Sequence, residues 1–151
     1  MADTSTTAER LALVLTESGM QRMAARVMCA LLYSESEDTT AGELCEQLGA
    51  SAGAVSGALK TLLSLNLAER VPAPGDRRDH YRLPPNGWEV MMSGQSSVLG
   101  VMVRAAQEGI EAAGEKSIAG RRLWEMREFY GYMQRELPAL LARWHEYRQT
   151  L

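Results

Sequence analysis

Cysteine and histidine are scarce, with two of each in 151 residues. Cys29 and Cys45 fall at no metal-ligand spacing. In a reducing compartment two isolated thiols read as small buried hydrophobes rather than a bridge, and a redox sensor is the lesser reading. With His80 and His145 the only histidines, a histidine-based metal site is not expected. A Gly-rich phosphate loop, a zinc signature and a nucleophile elbow are all missing. Acidic residues are scattered over polar helix faces, so no catalytic pair can be named. The expectation is a non-enzyme with no catalytic residue, no metal site and no cofactor. Apolar runs are short as well, well under the roughly 20 residues of a membrane helix. The opening "MADTSTTAERLALVLTESG" is acidic and Thr-rich, unlike a signal peptide. A cytoplasmic protein with no membrane partner is expected.

What is present is an ordinary globular composition, 46% hydrophobic, with a net charge of −3. That charge does not advertise a nucleic-acid binder, but phosphate binding needs only a local basic patch. Periodicity predicts helices over about 6–18 and 20–33, separated by Gly19. Leu11, Val14 and Leu15 share a face of the first; Met23, Val27, Ala30 and Leu31 share a face of the second. A polar loop, "SESEDTT", leads to Thr40 and Glu43, spaced as a capping box. A helix over about 41–48 should end at Gly49, and Ser51 should cap a second one over about 52–65. Two short helices so tightly joined must cross steeply, as in a helix-turn-helix. Strands at 67–71 and 79–83 flank the turn "PAPGD". Long helices follow at about 86–113 and 118–149, with Pro138 expected to kink the second or to start a new segment.

The 52–65 helix has an unusual outer face. With Val55, Ala58, Leu59 and Leu62 inward, Gly53, Gly57, Lys60 and Ser64 lie opposite, flanked by Ala54, Ser56 and Thr61. An exposed helical glycine costs about 1 kcal/mol relative to alanine. Either the two glycines pack against a neighbouring helix, or the helix backbone must approach something closely. A major groove about 12 Å wide is one such place. Charge favours that second reading. Between 51 and 83 the bases Lys60, Arg70, Arg77, Arg78 and Arg82 outnumber the acids Glu69, Asp76 and Asp79, whereas 34–48 holds five acids and no base. A winged helix used only for protein interaction would usually carry an apolar outer face instead.

The run "TAGELCEQLGASAGAVSGALKTLLSLNLAERVPAPGDRRDHYRL" resembles the winged helix-turn-helix of the MarR superfamily of bacterial transcriptional regulators. The long flanking helices extend the likeness over nearly the whole chain. Asp76 and Arg78 match the Asp-x-Arg of the family's wing, while Leu83-Pro84 stands where Leu-Thr is usual. "GDRRDHYRLPPNGWEVM", with Trp88, resembles the GbsR-like branch, which includes choline-responsive repressors. The resemblance implies a mainly α fold with a small β-hairpin wing, a winged helix-turn-helix flanked by long dimerisation helices. It divides the chain into N-terminal helices (1–33), a DNA-binding domain (34–85) and a helical dimerisation region (86–151).

It further implies a homodimeric repressor of double-stranded DNA operators, with Ser51, Ala54, Ser56, Gly57, Lys60 and Thr61 in the major groove and Arg77 and Arg78 on the wing. Asp76 should pair with a wing arginine and order the loop. The last helix carries a broad apolar face of Leu123, Phe129 or Tyr130, Met133, Leu137, Leu140 or Leu141, Trp144 and Tyr147, fit for a dimer base. Trp88, Met92, Trp124 and Tyr130 either belong to ordinary cores or line an effector pocket; by family analogy a choline-like cation would suit an aromatic cage. His80 is placed either on DNA backbone or in strand packing.

Overall fold

The computed structural model describes residues 3–151. They form two compact units, one ending at Trp88 and the other running from Glu89 to Leu151. The first unit holds α1 (Thr4–Glu17), α2 (Arg22–Leu32), β1 (Thr39–Thr40), α3 (Ala41–Leu48), α4 (Ala52–Ser64), β2 (Glu69–Val71) and β3 (His80–Arg82). Seven of the eleven residues of α2 are apolar and buried, Ala24, Ala25 and Val27 through Leu31, so it is the spine of this unit. One side meets α1, where Ala12, Ala25 and Cys29 close a small core with Ala8, Leu11, Leu15 and Met20. Val14 was expected on the same face as Leu11 but is exposed. Lying about 60° from Leu11 and about 100° from Leu15 around the helix, it falls outside the narrow seam that small alanines allow. Arg26 of α2 holds Glu9 of α1 through Nε and Nη2, and the same Nη2 donates to the Leu48 carbonyl, tying α1 to the end of α3.

The helix-turn-helix forms from local chemistry. The Thr40 side chain accepts from the Glu43 amide at 3.2 Å, and Glu43 accepts from the Thr40 amide at 2.7 Å, a complete capping box. Gly49 adopts φ 60°, the left-handed geometry that ends α3. Ser51 caps α4, accepting from Ala54 at 3.2 Å. Val55, Ala58, Leu59 and Leu62 of α4 are buried, as is Leu44 of α3. Asn66 takes the left-handed position after α4, at φ 57°.

The sheet has three strands, not the two of a simple hairpin. β1 pairs antiparallel with β3, Thr39 opposite Tyr81 and Thr40 opposite His80, and β2 pairs with the other edge of β3. The last two residues of the expected loop, Thr39 and Thr40, are therefore ladder, while 34–38 are loop.

The second unit is an antiparallel pair: most of α5 (Gly87–Ala113) and α6 (Ile118–Arg148). Gly114 turns the chain at φ 83°, and Ser117 caps α6 by accepting from Gly120 at 2.9 Å. Side chains of α6 fill the space over two glycines of α5. A Cβ on Gly109 would lie 2.8 Å from Leu123 Cδ1, and one on Gly100 would lie 2.9 Å from Gln134 Nε2. Arg127 donates to Gln107 Oε1 at 2.6 Å, and His145 faces Glu89 at 3.5 Å near the open end. Pro138 does not start a new segment: α6 is continuous through it. One missing N–H is a small loss in so long a ladder, and the preceding Leu137 is buried. No helix among the described residues is long and apolar enough to cross a membrane.

Candidate nucleic-acid interface

α4 presents its glycines to open space. A Cβ built on Gly53 or Gly57 meets no atom within 4 Å, so neither glycine packs against a neighbouring helix. Ser51, Ser56, Lys60 and Ser64 are exposed around them, and Ala54 and Thr61 are half-buried at the edges. Three hydroxyls of this face are already engaged locally, Ser64 Oγ donating to the Thr61 carbonyl at 2.7 Å. Ser51 Oγ accepts the cap bond but keeps its own hydrogen to donate, whereas Thr61 Oγ1 donates to the Gly57 carbonyl at 3.1 Å. The side chains of Ser56 and Lys60 make no hydrogen bond or ion pair among the described residues.

The wing follows from "PAPGD". Pro72 and Pro74 restrict the chain after β2, Gly75 turns it at φ 87°, and the Asp76 amide closes the turn on the Ala73 carbonyl at 3.0 Å. Asp76 then grips Arg78. Arg78 Nε lies 3.0 Å from each carboxylate oxygen, Nη2 lies 2.7 Å from Oδ2, and the Arg78 amide donates to Oδ1 at 3.0 Å. Arg78 foremost, then its amide and His80, hold the Asp76 carboxyl far below the usual carboxylate range. The expected loop-ordering pair is thus in place. Of the five bases in this stretch, Arg70 faces Asp79 at 3.5 Å and stacks over Tyr81, and Arg82 donates to Glu69 at 2.6 Å. Lys60 and Arg77 are the two without a partner among the described residues, and both are exposed. Free cations are the ones a phosphate can claim without breaking another bond.

His80 stands in β3, opposite Thr40 and Val71, and its ring makes contacts that neither expectation named. Its ring lies between two carboxylates, with Nδ1 2.6 Å from Asp38 Oδ1 and Nε2 2.9 Å from Asp76 Oδ2. Asp38, first, and Asp76 raise its pKa above the ordinary histidine value. Sequence reading missed this contact because Asp38 is 42 residues away in the chain. The acidic run before α3 and the lone wing histidine were visible; the strand that joins them was not.

Of the residues named for an effector pocket, Met92 and Trp124 do not come together within the second unit. Met92 and Trp124 belong to the second unit, but Trp124 faces Ile110, 18 residues beyond Met92 along α5, or about 27 Å at 1.5 Å per residue. Trp88 sits one turn before Met92 in the same helix, and Tyr130 stacks edge-on with Phe129. Beside Trp124 is a recess of about 390 Å³ lined by Ile110, Glu115, Lys116, Arg121 and Arg127. Three cations and one carboxylate there oppose a quaternary ammonium ion, so this recess is not the aromatic cage a choline-like ligand needs. Burial pushes the Cys29 thiol up, away from the reactive thiolate; Cys45, expected on the buried side, is half-buried.

Phe129, Tyr132, Met133, Leu140, Trp144 and Tyr147 leave a long exposed apolar face on α6. Only Leu137, of the residues expected there, is buried within the unit.

Comparison with known proteins agrees with this geometry. Residues 18–79 match the MarR family model, and residues 86–147 match that of an MmpR5-like MarR family transcriptional regulator. The HTH-type transcriptional regulator MmpR5 of Mycobacterium tuberculosis (strain ATCC 25618 / H37Rv) is 30% identical over 128 residues, covering 84% of this chain and 78% of that one. A crystal structure of a transcriptional regulator superposes with a TM-score of 0.84 at 27% identity, covering 96% of this chain and 99% of the other.

Proposed function

Since the chain belongs to the MarR family of transcriptional regulators, we propose that it is a sequence-specific binder of double-stranded DNA acting as a homodimeric repressor. The observation that carries the reading is the open outer face of α4, where Gly53 and Gly57 leave the helix backbone bare beside Ser56 and Lys60. That face enters the major groove, Ser51, Ala54 and Thr61 lie along its edges, and the wing carries Arg77 and Arg78 to the flanking backbone. The exposed apolar face of α6 supports the dimer, because a second copy covers what one unit leaves in water. In this reading residues 34–85 contact DNA, and 86–151 with the N-terminal helices form the dimer base. Acting on DNA places its work in the cytoplasm.

The GbsR-like assignment is supported by the wing that leads to Trp88, while the C-terminal half matches the MmpR5-like model. An effector response is the least developed part. The recess beside Trp124 favours an anion, since Lys116, Arg121 and Arg127 surround it. Enrichment from a random duplex pool tests the main reading. A near-palindrome with half-sites about 34 Å apart, one DNA turn, is the expected product. A protein that enriches no sequence is not this kind of regulator.

A further inference from the structure

Both ring nitrogens of His80 face carboxylate oxygens, Asp38 on one side and Asp76 on the other. A neutral imidazole has one N–H and one lone pair, so in this geometry one nitrogen would set acceptor against acceptor. Only the imidazolium donates to both. The two carboxylates come from different places: Asp38 ends the acidic loop before β1, and Asp76 is the wing residue that grips Arg78. The ring is 16% exposed, so water replaces neither contact easily.

We propose that His80 is the positioning residue of the wing, its imidazolium clamping the Asp76–Arg78 turn to the loop before the helix-turn-helix and releasing it on deprotonation. The inference rests on the DNA-binding reading given above. Every packed element contributes to the balance. β1 places Thr40 opposite His80, and β2 places Val71 there, neither charged. Glu43 of α3 adds a negative charge within the field of Arg78. Arg70 turns to Asp79 and Arg82 to Glu69. The carboxylates on both sides of the ring favour its charged form, consistent with a pKa raised by Asp38 and then Asp76. A histidine raised in the folded state contributes fully below its unfolded value, about 6.5, and the contribution is lost as pH rises through the folded value. DNA affinity therefore falls as pH rises.

The test uses the full chain and an enriched duplex at fixed ionic strength, from about pH 6 to about pH 9, the range in which histidine titrates. Wild type and His145→Gln should lose about tenfold in affinity, which one unit of pKa difference between clamped and released rings allows. His80→Gln should bind weakly at the low end and show a flat profile, and Asp38→Asn, which keeps the ring against Asp76, a shallower one than wild type. A His80→Gln profile as steep as wild type overturns the clamp. NMR titration of the wild-type ring stands independently of any variant: a midpoint at or below about 6.5 also overturns it. If no duplex is bound at any pH, the DNA reading fails. The clamp is then judged by the ring midpoint and by exchange of the Arg78 amide, whose intrinsic-rate-corrected protection should fall as the ring titrates. Protection that ignores the ring's titration rejects it.

Discussion

Arg78 and Asp76 form a two-pronged pair across a single residue, with the Arg78 amide bound to the same carboxylate. Arg77, between them, is exposed and without a partner among the described residues. The two wing arginines therefore have different work: Arg78 builds the turn and Arg77 is the free charge. Arg77→Ala should weaken binding to all duplexes alike and lower the salt slope by about 1, with unchanged melting.

Asp76→Asn makes a sharper case. Charge counting alone says that removing a carboxylate near DNA tightens binding. Here the substitution loosens the turn, because an amide keeps one acceptor oxygen but loses the charge and the second oxygen that Arg78 and His80 use. Affinity should fall by about tenfold, or about 1.4 kcal/mol. A DNA titration in which Asp76→Asn binds more tightly than wild type would mean that the carboxylate only repels.

Gly120 tests the turn between the long helices. A Cβ there would run into the Gly114 carbonyl, a backbone atom that cannot step aside cheaply. Gly120→Ala should destabilise the helical pair by about 1–3 kcal/mol in chemical denaturation. Gly94→Ala, where a Cβ meets nothing, should be neutral or gain up to about 1 kcal/mol. Equal stability of the two variants contradicts the packing described.

The apolar face of α6 predicts the oligomeric state. Phe129→Arg with Leu140→Arg, both at exposed positions, should give a helical monomer by sedimentation at micromolar concentration, where wild type should sediment as a dimer. The monomer should also lose the steep salt dependence of the dimer, about 10³ or more between about 50 and about 200 mM salt for roughly six phosphate contacts per complex. A monomeric wild type removes the dimer from the account.

Much of the helix-turn-helix was legible because its signals are local. Thr40 and Glu43 lie three apart, Gly49 and Ser51 punctuate the turn, and the caps formed as spaced. The inward row of α4 followed from its 3.6-residue period. What was not legible depends on partners distant in sequence. β1 is two residues long and exists only through pairing with β3. The Asp38–His80 contact depends on that pairing. The scatter of Met92 and Trp124 along α5 and α6 could not be seen from residue type, since aromatic and Met positions say nothing about which end of a helix pair they occupy.

The central claim is that α4 meets DNA through its bare face. The direct measurement is paired thermal melting and duplex titration of Gly57→Leu. With open space at this position, the side chain should leave melting unchanged or raise stability by up to about 1 kcal/mol. Binding should fall by at least about tenfold, because the added bulk holds the helix out of a groove it otherwise fits. A Gly57→Leu protein that melts like wild type and binds the enriched duplex with wild-type affinity would contradict the account.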